Sequence, residues 1–109
     1  MPYDDGLVER VRAVLASRAD ITERKLFGSL GFMLAGNMAV AVREDELIVR
    51  LDEADAQPAI DEPGVSAFAP MGNPMKGWIL VSPEAIADDD DLAAWIDEGT
   101  EFAGSLPPK

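Results

Sequence analysis

Residues 31–52 read GFMLAGNMAVAVREDELIVRLD, and this stretch constrains the fold more than any other. Its apolar runs are short, and turn-forming residues close each one. Gly36-Asn37 separates the first two runs and is a good hairpin turn, while Glu44-Asp45-Glu46 separates the next two. Runs of this length are too short for well-packed helices but suit the strands of an antiparallel meander. Together with TERKLF just before it, the segment predicts three or four antiparallel strands.

The flanks change period. In YDDGLVERVRAVLASR, Leu7, Val11, Val14, Leu15 and the stem of Arg18 share one helical face, with Asp4 or Asp5 placed to cap it. DEADAQPAIDEPG predicts a short helix that carries Pro58 and is ended by Pro63-Gly64. VSAFAP and KGWILVS read as two further strands, the second beginning with Lys76-Gly77-Trp78. Ser82-Pro83-Glu84 is a helix start with proline at the first helical position. Leu92, Trp95, Ile96, Gly99, Phe102, Ala103 and Leu106 then recur at helical spacing until Pro107-Pro108. The order is helix, meander, short helix, two strands, helix. It does not make alternating βαβ units, so the expected class is α+β, a two-layer sandwich on a largely antiparallel sheet of five or six strands.

At 109 residues the chain fits one domain, taken as 1–109. It has no cysteine, so disulfide and thiolate chemistry are excluded. No segment approaches the roughly 20 apolar residues of a membrane span. The N-terminal residues lack a signal peptide's basic and apolar regions, so the expected location is cytoplasmic. The net charge of −12 is uneven. Residues 1–51 carry 7 basic and 8 acidic side chains, and residues 52–109 carry 2 and 13. Duplex binding depends on neutralising phosphates, which this balance opposes, so no direct binding to generic DNA is expected.

With no histidine and no cysteine, a Ser-His-Asp triad, a Cys-His pair and the common zinc sites are all ruled out. Neither a Walker loop nor a dinucleotide fingerprint is present. Asp88-Asp89-Asp90-Asp91 has oxygens for a hard cation. It is better read as one cap with the rest near the positive end of the last helix. Met33, Met38, Met71 and Met75 read as core filler rather than as an adaptable contact surface. Strand alternation puts Lys76 with Trp78, and Ile48 with Arg50, so Arg50, Lys76 and Trp78 are the candidate interaction patch. The alternative is a buried indole with the lysine reaching out to water.

KLFGSLGFMLAGNMAVAV, LIVRLD and NPMKGWILV, in this order and spacing, resemble the TfoX/Sxy N-terminal domain family. The resemblance runs from YDDGLVERVR to AWIDEGTEFAGSLPPK. It is carried by Phe27-Gly28, the hairpin around Gly36, Arg50-Leu51 and Met75-Lys76-Gly77-Trp78. Leu26 stands where methionine is commoner, and Ser29 where a second glycine is usual. The resemblance implies an antiparallel sheet covered on one side by helices, and a link to transcription. The name-giving members regulate natural competence and act with the cyclic-AMP receptor protein at certain promoters. They carry a further C-terminal domain, so the expectation here is a stand-alone N-terminal domain. No catalytic residue is implied.

The expected function is therefore a non-enzymatic, regulatory protein-interaction domain linked to transcription. Its partner would be a transcription regulator or the transcription machinery, with a homodimer admitted. No cofactor, metal or membrane is expected. The alternative, from another class, is a small-molecule or anion-binding domain using Arg50, Lys76 and Trp78. An enzyme relying on lysine and carboxylates ranks last.

Overall fold

Tight turns set the sheet. In the computed structural model, which describes residues 3–26 and 28–108, strands β1 (Ile21–Leu26), β2 (Ser29–Leu34), β3 (Asn37–Arg43) and β4 (Glu46–Arg50) follow one another as antiparallel neighbours. Phe27, part of the family-like Phe27-Gly28 pair, lies outside the described residues. The β2–β3 turn is Ala35-Gly36, with φ of 52° and 85°, and Leu34 pairs with Asn37. The hairpin turn thus sits one residue earlier than Gly36-Asn37. The reason is that Asn37 is needed in the strand. It is buried, and its side-chain amide donates to the Pro107 carbonyl at 3.0 Å.

Two more strands, β5 (Val65–Ala67) and β6 (Trp78–Val81), complete a six-stranded sheet in the order β1-β2-β3-β4-β6-β5, antiparallel throughout. Helix α1 (Asp5–Leu15) precedes the sheet, α2 (Glu53–Ile60) links β4 to β5, and α3 (Asp89–Ser105) ends the fold. This is the expected α+β sandwich, with the helices on one face. None of the helices is long and apolar enough to cross a membrane, among the described residues.

Strand alternation sends Phe32, Val40, Val49 and Ile79 to the helix side as one cross-strand row, and Leu30, Val42, Leu47 and Val81 as the next. Both rows join one core with Leu7, Val8, Val11 and Leu15 of α1 and Leu92, Trp95 and Ile96 of α3. Burying each large aliphatic side chain here contributes about 1.5–3 kcal/mol. Val8 joins this face in addition to the expected stripe, while Arg18 stays exposed. Gly99 explains how closely α3 seats. A Cβ there would meet the Ala39 carbonyl oxygen at 2.6 Å, so only glycine allows this contact between helix and sheet.

The start of α3 also differs from the sequence reading. Ser82-Pro83-Glu84 opens only a 3-10 turn over Pro83–Ile86, and α3 begins separately after Asp88. The Asp88 side chain accepts from the Asp90 N–H at 2.8 Å, while Asp89, Asp90 and Asp91 occupy the first turn. The aspartate run therefore caps a helix.

Candidate functional site

Strand β4 ends at Arg50 and β6 begins at Trp78, and the register makes these two residues cross-strand partners. The Arg50 guanidinium lies over the Trp78 ring, 5.3 Å from its centroid, and over the Phe102 ring at 5.5 Å. Both distances are within the reach of cation–π attraction. Phe102 therefore does not sit in the core with Leu92, Trp95 and Ile96 of α3. It is half-buried at the flank of the helix, where it covers the arginine.

Lys76 and Gly77 form a turn before β6 and are not its first residues. Gly77 has φ 82°, and a Cβ on it would stand 2.7 Å from the Leu51 carbonyl oxygen. The Leu51 N–H donates to the Gly77 carbonyl at 2.7 Å. Glycine is thus required where the chain closes against the end of β4, which gives the Lys76-Gly77-Trp78 run a structural reason. The positive φ breaks the alternation that would have paired Lys76 with Trp78. The two residues nevertheless line one shallow depression of about 310 Å³ with Arg50 and Phe102, rimmed by Asp52 and Glu53. Lys76 is exposed, while Arg50 and Trp78 are half-buried, so the indole is not a core residue.

Among the described residues, the other face of the sheet carries no helix. Its central cross-strand row is Arg24, Gly31, Ala41, Ile48, Leu80 and Ser66, one residue from each strand. The row beside it is Ser29, Arg43 and Glu46, and Met33 pairs with Met38 on the opposite side. Met38 reaches this face through a bulge. The register slips between Phe32 and Met33, leaving Ala39 without a cross-strand partner, so Met38 lies opposite Val40's face. A Cβ on Gly31 would stand 2.8 Å from the Met38 Cε, so the methionine folds over the glycine. Met33 and Met38 are half-buried here, Met71 is wholly exposed and Met75 is 40% exposed. The core-filler reading is thus overturned for all four: two lie on the helix-free face, and two in the loop before β6.

Ion pairing is uneven across the molecule. Arg10 pairs with Asp89 at 3.0 Å, Arg12 with Glu9 and Glu23, and Arg18 with Asp20 at 3.3 Å. Arg24, Lys25, Arg43, Arg50 and Lys76 have no ion-pair partner among the described residues, and of these Lys25 shares the helix-side row with Leu30. On the helix side, a groove lined by Leu51, Asp52, Asp55, Glu98, Glu101, Phe102 and Ser105 is acidic. Burial holds the Glu98 carboxyl above the ordinary glutamate range, and Glu62, Asp55 and Glu101 push it further in the same direction. Among the described residues no group of acidic side chains is arranged to hold a metal ion.

Sequence reasoning identified Arg50, Lys76 and Trp78, and these share one depression. It missed Phe102 in this role, and it missed Arg24, Arg43, Met33 and Met38 as members of an uncovered face. In comparisons with known proteins, a family model described as TfoX N-terminal domain matches residues 13–103. No match was found among curated proteins or among solved structures.

Proposed function

The chain belongs to the TfoX N-terminal domain family, and on that ground we propose that it is a non-enzymatic, regulatory protein-interaction domain linked to transcription and competence-type control. The family match carries the regulatory part of this reading. The helix-free sheet face supports the interaction part, because it gathers methionine, leucine and unpaired arginine on an otherwise acidic molecule. Surfaces of this kind make adaptable protein contacts. The partner in this reading is a transcription regulator or a component of the transcription machinery, reached without direct binding to DNA. The cytoplasm is the matching location.

A second reading rests on one specific observation. Arg50 is held by two rings beside Lys76 in a depression, so its N–H groups have fixed directions in which to meet an anion. In that reading the domain binds a small anionic molecule.

Affinity capture from the native extract separates the two. Wild type is compared with Arg24→Glu/Arg43→Glu on the helix-free face and with Arg50→Glu/Lys76→Glu in the depression, each with its thermal midpoint measured. Retention of a transcription protein by wild type, reduced in the first variant, supports the proposal. If wild type retains no protein above bare beads, the interaction reading is wrong.

A further inference from the structure

We infer that the helix-free face of the sheet docks an acidic, apolar polypeptide segment, with leucine-like side chains against Leu80, Met33 and Met38 and carboxylates at Arg24 and Arg43. This rests on the protein-interaction reading above and specifies the chemistry of the partner.

The centre of the face is low and apolar. Gly31 and Ala41 give it almost no relief, Ile48 is 4% exposed, and Leu80, Met33 and Met38 rise around them half-buried. None of these residues belongs to the core beneath the helices. Unbranched methionines repack readily around a partner's side chains, which suits a segment without a rigid shape.

The charges at the border decide what that segment carries. The face holds Arg24 and Arg43 against one acidic strand residue, Glu46, while the Arg50 guanidinium turns from the end of β4 toward Phe102 of α3. The remaining surface holds nearly all of the other 20 acidic residues (21 less Glu46). Neither Arg24 nor Arg43 has an ion-pair partner among the described residues, whereas Arg10, Arg12 and Arg18 all do. Cross-strand pairing sets Arg43 opposite Glu46 without an ion pair between them; burial pushes the Glu46 carboxyl up, and the Arg43 charge offsets this only in part. Guanidinium groups in this setting keep their bidentate donor edges available for carboxylates from outside. A basic segment would meet like charge on this face and be drawn to the helix side instead. A second copy presenting the same face would oppose arginine to arginine. Arginine and tryptophan could also stack on single-stranded nucleic acid, but the surrounding acidic surface would repel its phosphates.

The test is an amide ¹H–¹⁵N NMR titration of the full chain with three matched amphipathic peptides. One is built of leucine and glutamate, and the others replace every glutamate by glutamine or by lysine. The glutamate peptide should shift the amides of Gly31, Ala41, Ile48 and Leu80. It should bind at least about tenfold more tightly than the lysine peptide, since like-charge contacts are costly. Arg24→Glu/Arg43→Glu should remove that preference. Arg24→Gln/Arg43→Gln should weaken it, and this second variant serves if the first does not fold. Equal shifts from all three peptides, shifts confined to the helix side, or no shift at all overturns the inference. So does movement of the same amides on dilution without peptide, which identifies a second copy, or a stronger response to oligo-dT. If native-partner capture depends on the face while the glutamate peptide leaves it unmoved, the acidic chemistry is wrong and the interaction reading stands.

Discussion

Arg50 of β4 and Trp78 of β6 face each other across the sheet, with the guanidinium 5.3 Å from the indole centroid and Phe102 of α3 on the same cation. This contact ties the end of the sheet to the C-terminal helix. It also leaves the arginine's polar edge without an acidic partner among the described residues.

Removing the cation should therefore loosen this corner without unfolding the domain. Arg50→Ala is expected to cost about 1 kcal/mol in urea denaturation, the scale of partly exposed cation–π contacts. Arg50→Lys should recover part of that loss. A cost indistinguishable from zero for Arg50→Ala would show that the rings do not hold the cation.

The α3 stripe should divide in stability. Ile96 is fully buried, so Ile96→Ala should cost about 2–5 kcal/mol. Phe102 is half-buried at the flank, so Phe102→Ala should cost less, about 1–2 kcal/mol. The same denaturation series checks both values, and the reverse order would place Phe102 in the core after all.

Two glycines should respond oppositely to alanine. At Gly99 the new methyl meets backbone, the Ala39 carbonyl oxygen, and α3 must lift, with a loss of about 1–3 kcal/mol. At Gly31 it meets the mobile end of Met38, which can swing away, so the loss should stay below about 1 kcal/mol. Thermal melts of both variants test the closeness of the helix and the placement of Met38 together.

The pH response follows from Glu98. Its folded-state pKa is raised, first by burial and then by neighbouring carboxylates. Above its unfolded value the folded state therefore holds the proton more strongly, and stability falls as pH rises through the window above the ordinary 4.5. Glu98→Gln should raise the melting temperature at pH 7 and have little effect near pH 4.5. A lower melting temperature at pH 7 would show that the ionised carboxylate is stabilising.

Much of the fold was legible because period and turn chemistry act locally. The runs around Gly36, an aspartate cap on α1 and another from the 88–91 run on α3, and the Trp95-Ile96 stripe each depend on near neighbours, and the structure selects Asp4 and Asp88 as the caps. The failures are long-range. Asn37 was placed in the turn because nothing local reveals its bond to Pro107. Nothing local reveals the bulge at Ala39, which turns Met38, read as core filler, to the helix-free face. Lys76 was assigned to β6 because the sequence does not show that Gly77 must close against Leu51. Within the candidate site, Arg50 and Trp78 were readable as members of neighbouring strands. Phe102 was not, since the same spacing serves a core position and one at its edge.

The central claim is that the helix-free face, and not the helix side, meets the partner. The most direct measurement is capture from native extract with two charge-matched variants. Arg24→Glu/Arg43→Glu alters the helix-free face, and Arg12→Glu/Arg18→Glu alters the helix side by the same net charge. The account predicts that the first loses the partner and the second retains it. Retention by both variants, or loss by the second alone, would contradict it.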